Sequence, residues 1–513
     1  MQMALSGGII LSVVLWGLLS PATLQSVFEA AMAFVTKDFG WWYLWLVLAL
    51  VVMALVLALS RYGNLRLGAE DDEPAFSIGA WFAMLFAAGM GIGLVFWGVA
   101  EPVSHYVSSP PGVTARTPEA ASAAMRYSFF HWGLHPWAVY SIVALCMAFF
   151  QFRRGGAALV STVTEALPWR WVRRLSPLFN VLAVIATAFG VAASLGLGAM
   201  QINGGLHTVY GMPFGTFWQV VIIAVTTVFF LTSAITGVER GIKWLSIFNL
   251  VVAGVLSAVV FVLGPTIAIV DTFTSTLGSY VTELMRMSLR LAPFRNSDWI
   301  SNWTIFYWAW WVSWAPFVGL FIARVSQGRT IREFIIGTVM APTLGAFLWF
   351  SVFGGTALHM EVWQIAPIAD AVEGDVATAL FALFDALPLG ALLSTVAVVL
   401  VLVFFVTSAD SATLVLGMMS TGGNPDPRAR VKLVWGVLIA GIAISLLMTG
   451  GLQALQTATI VFALPFTLVI VLMALSLWRA VRADWHEEQR EERQLRRRLR
   501  DMARRDLEAD GRR

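Results

Sequence analysis

Charge is what this sequence has least of. Only 12% of its 513 residues are Asp, Glu, Lys or Arg, about half the share in an average soluble domain. Hydrophobic residues make up 58%, and a water-soluble fold would leave large apolar patches facing solvent. Cysteine is almost missing too: Cys146 stands alone, so no intramolecular disulfide can form. The net charge is +3, with the basic residues concentrated at the C-terminal end, so a nucleic-acid partner has no support. The first apolar run has no preceding Lys or Arg. It lacks the basic n-region of a signal peptide and is expected to be retained.

What the chain has instead is long apolar runs. A transmembrane helix needs about 20 mostly apolar residues. On that ruler twelve spans are expected, at 3–20, 41–60, 79–100, 127–151, 178–206, 216–235, 243–264, 299–323, 334–357, 390–418, 431–449 and 455–478. With the N-terminus inside, 15 Lys and Arg fall in inner loops, 12 in the C-terminal tail and six outside. That is the bias of cytoplasmic segments, and it puts both termini in the cytoplasm of a multi-pass plasma-membrane protein. Residues 101–126 read as a loop. Residues 265–298 lie outside and carry an amphipathic stretch, Val270 to Leu291, suited to the membrane interface. From Arg479 the tail interleaves 12 Arg with nine acidic residues. This reads as a solvated helix that contacts anionic lipid or serves as a regulatory arm.

Three features stand out inside the spans. The third span places Gly89, Gly91 and Gly93 at alternate positions, which fits either close helix packing or unwound backbone lining a cavity. The fifth span repeats the theme in Ser194-Leu195-Gly196-Leu197-Gly198. Aromatic residues cluster in the fourth span, at Trp132, Trp137 and Tyr140, and in the eighth, at Trp310, Trp311, Trp314 and Phe317. Pro136 and Pro316 lie in these segments, where a kink or unwound turn is expected. Converging aromatic faces suit a cation that cannot donate hydrogen bonds. The tenth span adds Thr407, Ser408 and Asp410, whose oxygens suit a hard cation such as sodium or simply bond back to their own helix. Glu101, His105, His131 and His135 raise the thought of a metal enzyme, but no HExxH pattern is present. A channel would be told from a carrier by large unitary currents.

Taken in order, Gly89-Met90-Gly91-Ile92-Gly93 with Trp97-Gly98 and Glu101-Pro102, then His131-Trp132 and His135-Pro136-Trp137-Ala138, then Phe306-Tyr307-Trp308-Ala309-Trp310-Trp311 with Trp314-Ala315-Pro316-Phe317, then Thr407-Ser408-Ala409-Asp410-Ser411 resemble the betaine/choline/carnitine transporter family. The resemblance implies an all-α integral membrane fold of LeuT type. Two extra helices (1–78) would precede inverted repeats of five spans each, at 79–264 and 299–478, separated by the outer region 265–298 and followed by the tail 479–513.

By the same resemblance, Trp132, Trp137, Tyr140 and Trp311 form a central aromatic box, with Trp310 and Trp314 beside it and the backbone of Gly89, Gly91 and Gly93 facing the substrate. One sodium site would use carbonyls of Ala87, Met90 and Phe405 with the hydroxyls of Thr407 and Ser408. A second would use Thr187, Tyr140 and Phe317. Its further hydroxyl in sodium-coupled betaine carriers, one turn after Thr187, is replaced here by Val191. The expected function is uptake of a zwitterion such as glycine betaine, with sodium as coupling ion, no other cofactor, and a homotrimeric assembly. Sodium-independent carnitine exchange and uptake of choline, ectoine or dimethylsulfoniopropionate are the alternatives. The cationic side chain that would replace sodium is missing from Ala183–Ser194, and Gly93 is not the acidic residue of choline carriers.

Overall fold

A computed structural model describes residues 2–89, 91–236, 239–294 and 298–510, and these are helices and their connections, with one isolated backbone bridge between Arg66 and Thr330. The chain opens with α1 (Gln2–Leu19) and α2 (Pro21–Leu59). Pro21 starts α2 where its missing N–H would have no intrahelical partner. Helix α2 is longer than the expected span because Gln25, Glu29 and Lys37 dilute the hydropathy of its first half. That half still buries Leu24, Phe28 and Val35.

The third span is two helices, α3 (Ile78–Gly89) and α4 (Ile92–Val107), with Gly91 in extended backbone at φ −135° and ψ −158°. Of the two readings of the glycine run, interruption is the one found. Met90 lies outside the described residues, as do the side chains of the last turn of α3. Residues 101–126 are not a loop throughout. Helix α4 continues to Val107, and α5 (Pro118–Trp132) begins early, with Ala120 N–H donating to the Thr117 hydroxyl (3.1 Å). That cap, with Pro118 at the first helical position, satisfies the helix start.

Helix α6 (Leu134–Ala148) follows α5 across a break at Gly133 (φ −90°, ψ −134°), not at Pro136. Pro136 sits in the first turn of α6, where no intrahelical hydrogen bond is lost. Next come α7 (Val160–Glu165), α8 (Arg170–Tyr210), α9 (Thr216–Thr236), α10 (Glu239–Leu263), α11 (Thr266–Ser288) and α12 (Phe306–Arg324). Helix α11 occupies the stretch expected to be an amphipathic helix. The unwinding expected at Pro316 does not occur: α12 is helical through that residue. It is packed against α6, α8 and α17, and such packing supports a proline-bearing helix inside a bundle.

The remaining helices are α13 (Ile331–Val362), the short α14 (Ile368–Gly374) and α15 (Ala379–Asp385), α16 (Gly390–Ser420) and α17 (Ala429–Asp510). Helix α17 is interrupted at Gly450 and at Gly451, which has φ 57° and ψ −132°, a conformation that strongly favours glycine. Its second part runs on into the charged tail. The tail is a helix exposed from Arg490 to Met502, and its first turns are docked along one face while Arg482, Ala483, His486 and Glu487 stay exposed. Asp484 pairs with both Arg153 and Arg154, Glu488 pairs with Arg153, and the Arg61 guanidinium lies 3.9 Å above the Trp485 ring.

Ten helical stretches among the described residues are long and apolar enough to cross a membrane. Helices α3 and α4 fall short separately. Helix α8 runs through the middle of the bundle against α12, α16 and α17, and every residue from Ala183 to Gly205 is buried. Small side chains in that stretch let the bulky rings of α12 and the start of α4 approach closely.

Candidate substrate-binding site

The aromatic residues named from sequence meet in space. Trp132 ends α5, Trp137 and Tyr140 lie on the first turns of α6, and Trp311 comes from α12. The Trp132 and Trp311 rings are 4.8 Å apart at 75°, Tyr140 and Trp311 are 6.0 Å apart at 82°, and Trp137 and Tyr140 are 5.5 Å apart at 78°. Edge-to-face contacts of this kind are the favoured geometry of aromatic pairs. All four rings are buried. Trp310 stacks on Trp311 at 5.1 Å and 13°, and Trp314 meets Phe317 edge-on at 5.4 Å.

Gly93 makes the cluster sterically possible. A Cβ there would lie 2.7 Å from the Trp310 ring and 3.2 Å from Trp132. The break before α4 adds polarity. Leu94 and Val95 amides bond back to the Gly91 carbonyl, but the first amides of a helix have no intrahelical acceptor and carry the positive end of its dipole. At the other side of the break, Ala87 and Gly89 lie in the last turn of α3, where carbonyls are likewise free of intrahelical donors. The interruption thus leaves helix-end amides on one side and helix-end carbonyls on the other without intrahelical partners.

Thr407 and Ser408 border a cavity of about 90 Å³ together with Gly91, Trp314 and Phe317. The Thr407 hydroxyl donates to the Val403 carbonyl (2.9 Å), which leaves its oxygen lone pairs available to a cation. Phe405 is buried on the same helix. The residues expected at a second ion site are also deep: Thr187, Tyr140 and Phe317 are buried, and the Thr187 hydroxyl has no hydrogen-bond partner among the described residues. Val191, one turn further along α8, is buried and offers no oxygen.

A buried carboxylate ties the cluster together. Glu101 Oε2 accepts from the Trp132 indole N–H (2.7 Å) and, at short range, from the Tyr307 hydroxyl. Glu101 Oε1 lies 2.7 Å from His131 Nδ1 and 3.2 Å from His105 Nε2. On its other side, His131 Nε2 is 3.0 Å from the Thr304 hydroxyl. Glu101, His105 and His131 are therefore brought together, while His135 points elsewhere and bonds Ser288 of α11 (2.8 Å). The same helix closes the Gly133 break: the Leu134 amide donates to the Tyr280 hydroxyl (3.2 Å). The Trp311 indole N–H donates to the His131 carbonyl (3.0 Å). These supports were not visible in the motifs. Tyr280 and Ser288 sit in an unremarkable amphipathic stretch, and Asn249, which borders the 90 Å³ cavity, is an isolated amide in an apolar run.

Membrane-length helices converging on buried aromatic rings and unpaired polar groups define the class: a multi-pass membrane protein that handles a small solute within its bundle. Residues 2–486 match the family described as "BCCT, betaine/carnitine/choline family transporter", and the chain belongs to that family. It is a transporter and not an enzyme. It is 48% identical to the glycine betaine transporter OpuD of Bacillus subtilis, over 92% of this chain and 93% of that protein. An ectoine/hydroxyectoine transporter of Virgibacillus pantothenticus is 44% identical, over 92% and 95%. Glycine betaine transporter 1 of Vibrio parahaemolyticus is 42% identical, over 87% and 86%.

Proposed function

We propose that this protein imports glycine betaine, or a quaternary-ammonium zwitterion of the same shape, by sodium-coupled alternating access. One observation carries the reading: Trp132, Trp137, Tyr140 and Trp311 pack edge to face as a buried aromatic surface. Such a surface attracts a methylated ammonium, each contact contributing about 0.5–2 kcal/mol. The amides at the start of α4 supply a counterpart for the carboxylate. Two relatives whose names specify glycine betaine agree with this choice.

In this reading the membrane is crossed twelve times. Helices α3 and α4 count as one broken crossing, α5 and α6 as another, and α17 as two, with the tail beyond. The repeats are then α3–α10 and α12–α17, arranged as inverted copies of LeuT type, with both termini cytoplasmic and α11 available as a contact helix in a homotrimer. One sodium ion is held by carbonyls of Ala87, Met90 and Phe405 and the hydroxyls of Thr407 and Ser408. A second, weakened by Val191, uses Thr187 with Tyr140 and Phe317. Each net charge carried inward gains about 2.3 kcal/mol per 100 mV of membrane potential. Ectoine is a second reading, favoured by the Virgibacillus pantothenticus relative; it too is a zwitterion with a delocalised cation.

Uptake of radiolabelled glycine betaine into proteoliposomes, with and without an inward sodium gradient, tests the coupling. Accumulation that collapses when the gradient is dissipated is expected. Uptake indifferent to sodium would sink it.

A further inference from the structure

The proposed site leaves one buried amide unexplained. Asn249 of α10 is only 1% exposed, and neither its Nδ2 nor its Oδ1 has a hydrogen-bond partner among the described residues. Folding an amide into the interior with both ends unpaired is costly, and such a group is retained where something else satisfies it. The surroundings show what that could be. Asn249 borders the 90 Å³ cavity that also touches Gly91, Trp314, Phe317, Thr407 and Ser408. The cavity therefore joins three chemistries: the amide end of α4 at Gly91, an aromatic corner from α12, and the Asn249 amide from α10.

We propose that Asn249 is a substrate ligand whose side-chain N–H groups donate to the carboxylate of the transported zwitterion. The free amides at the start of α4 hold the same carboxylate, and the methylated cation extends from there to the aromatic cluster, which Gly93 of the first α4 turn adjoins at Trp132 and Trp310. This rests on the reading that the chain carries a zwitterion, and it specifies the carboxylate as the group Asn249 senses. The two polar observations are independent, one being a helix terminus and the other an orphaned side chain on a different helix. A carboxylate pairs the donors of both, the α4 amides and Asn249 Nδ2, and leaves Oδ1 to a cation or water in the same cavity; a bare quaternary ammonium would leave all of these N–H groups unpaired. The site thereby discriminates against solutes that lack the carboxylate, because a buried polar site rejects a ligand that cannot fill its hydrogen bonds.

The test uses the purified full chain at fixed sodium, titrated by tryptophan fluorescence with glycine betaine, ectoine and tetramethylammonium. Asn249→Ala should weaken glycine betaine and ectoine about tenfold, the loss of one charge-assisted hydrogen bond, with tetramethylammonium unchanged. Asn249→Asp should weaken both zwitterions further, through repulsion, and bind tetramethylammonium at least as well. Equal losses on all three ligands, no loss on any, or a loss seen only as altered sodium affinity would overturn the proposal. Tetramethylammonium binding reports that each variant is folded; if neither variant binds it, Asn249 is a structural residue and the proposal fails. A wild-type chain that binds no zwitterion would defeat the parent reading, and that result is read before any variant is made.

Discussion

At the scale of single residues, the site is a set of large rings held by a few polar atoms. Glu101 is the most heavily used of these, accepting from Trp132 and Tyr307 while lying against His131 and His105. Removing it with Glu101→Ala leaves buried donors on several helices unpaired. The expected cost is at least about 3 kcal/mol, since each buried unsatisfied group costs roughly 1–3 kcal/mol, and it should appear as a lower thermal midpoint. Glu101→Gln keeps the shape but weakens the acceptor. It should raise the apparent substrate constant severalfold with a smaller loss of stability, and unchanged uptake would show that Trp132 needs no such support. Gly93→Ala probes the opposite face of the cluster. Its new methyl would meet Trp310 at 2.7 Å, so the rings must shift; overpacking of this kind costs about 1–3 kcal/mol. Reduced glycine betaine uptake is expected in that variant, and wild-type kinetics would contradict the packing described here.

At the scale of helices, much is legible in the sequence, and what is not has physical causes. Runs of apolar residues gave the spans. The glycine run marked the α3–α4 break, because alternate glycines weaken a helix and leave its backbone open. The aromatic box was legible because its members lie in two short stretches, Trp132–Tyr140 and Trp310–Trp314. Helix ends were legible only in part. The first half of α2 is polar enough to escape a hydropathy window, although Leu24 and Phe28 are buried at helical spacing. Pro316 does not unwind α12, which packs against α6 and α8 and stays helical through it. Glu101, Tyr280 and Asn249 could not be assigned roles, because their partners lie on helices distant in sequence. The tail offers an element-scale prediction. Arg153, Arg154 and Arg61 hold only its first turns, so amide exchange should be slow over 479–488 and fast over 489–502. Arg153→Glu should make the docked part exchange as fast as the rest; continued protection would mean that the ion pairs do not hold it.

At the scale of the whole molecule, interrupted helices lie where large rings and unpaired polar atoms meet. The breaks at Gly91 and Gly133 border the aromatic cluster from two sides, and α8 fills the centre with small buried residues. In the proposed function, a carrier built this way would draw specificity from the cluster and its driving force from an ion held by the oxygens of Thr407 and Ser408. The central claim is that the cluster binds the methylated ammonium of the cargo. Its most direct test is saturable glycine betaine uptake by proteoliposomes of the wild type and of Trp311→Leu, under the same sodium gradient. The account predicts accumulation by the wild type and an apparent substrate constant raised roughly tenfold or more in Trp311→Leu, consistent with the loss of a desolvated cation–π contact. No saturable uptake by the wild type, or equal constants for the two proteins, would contradict it.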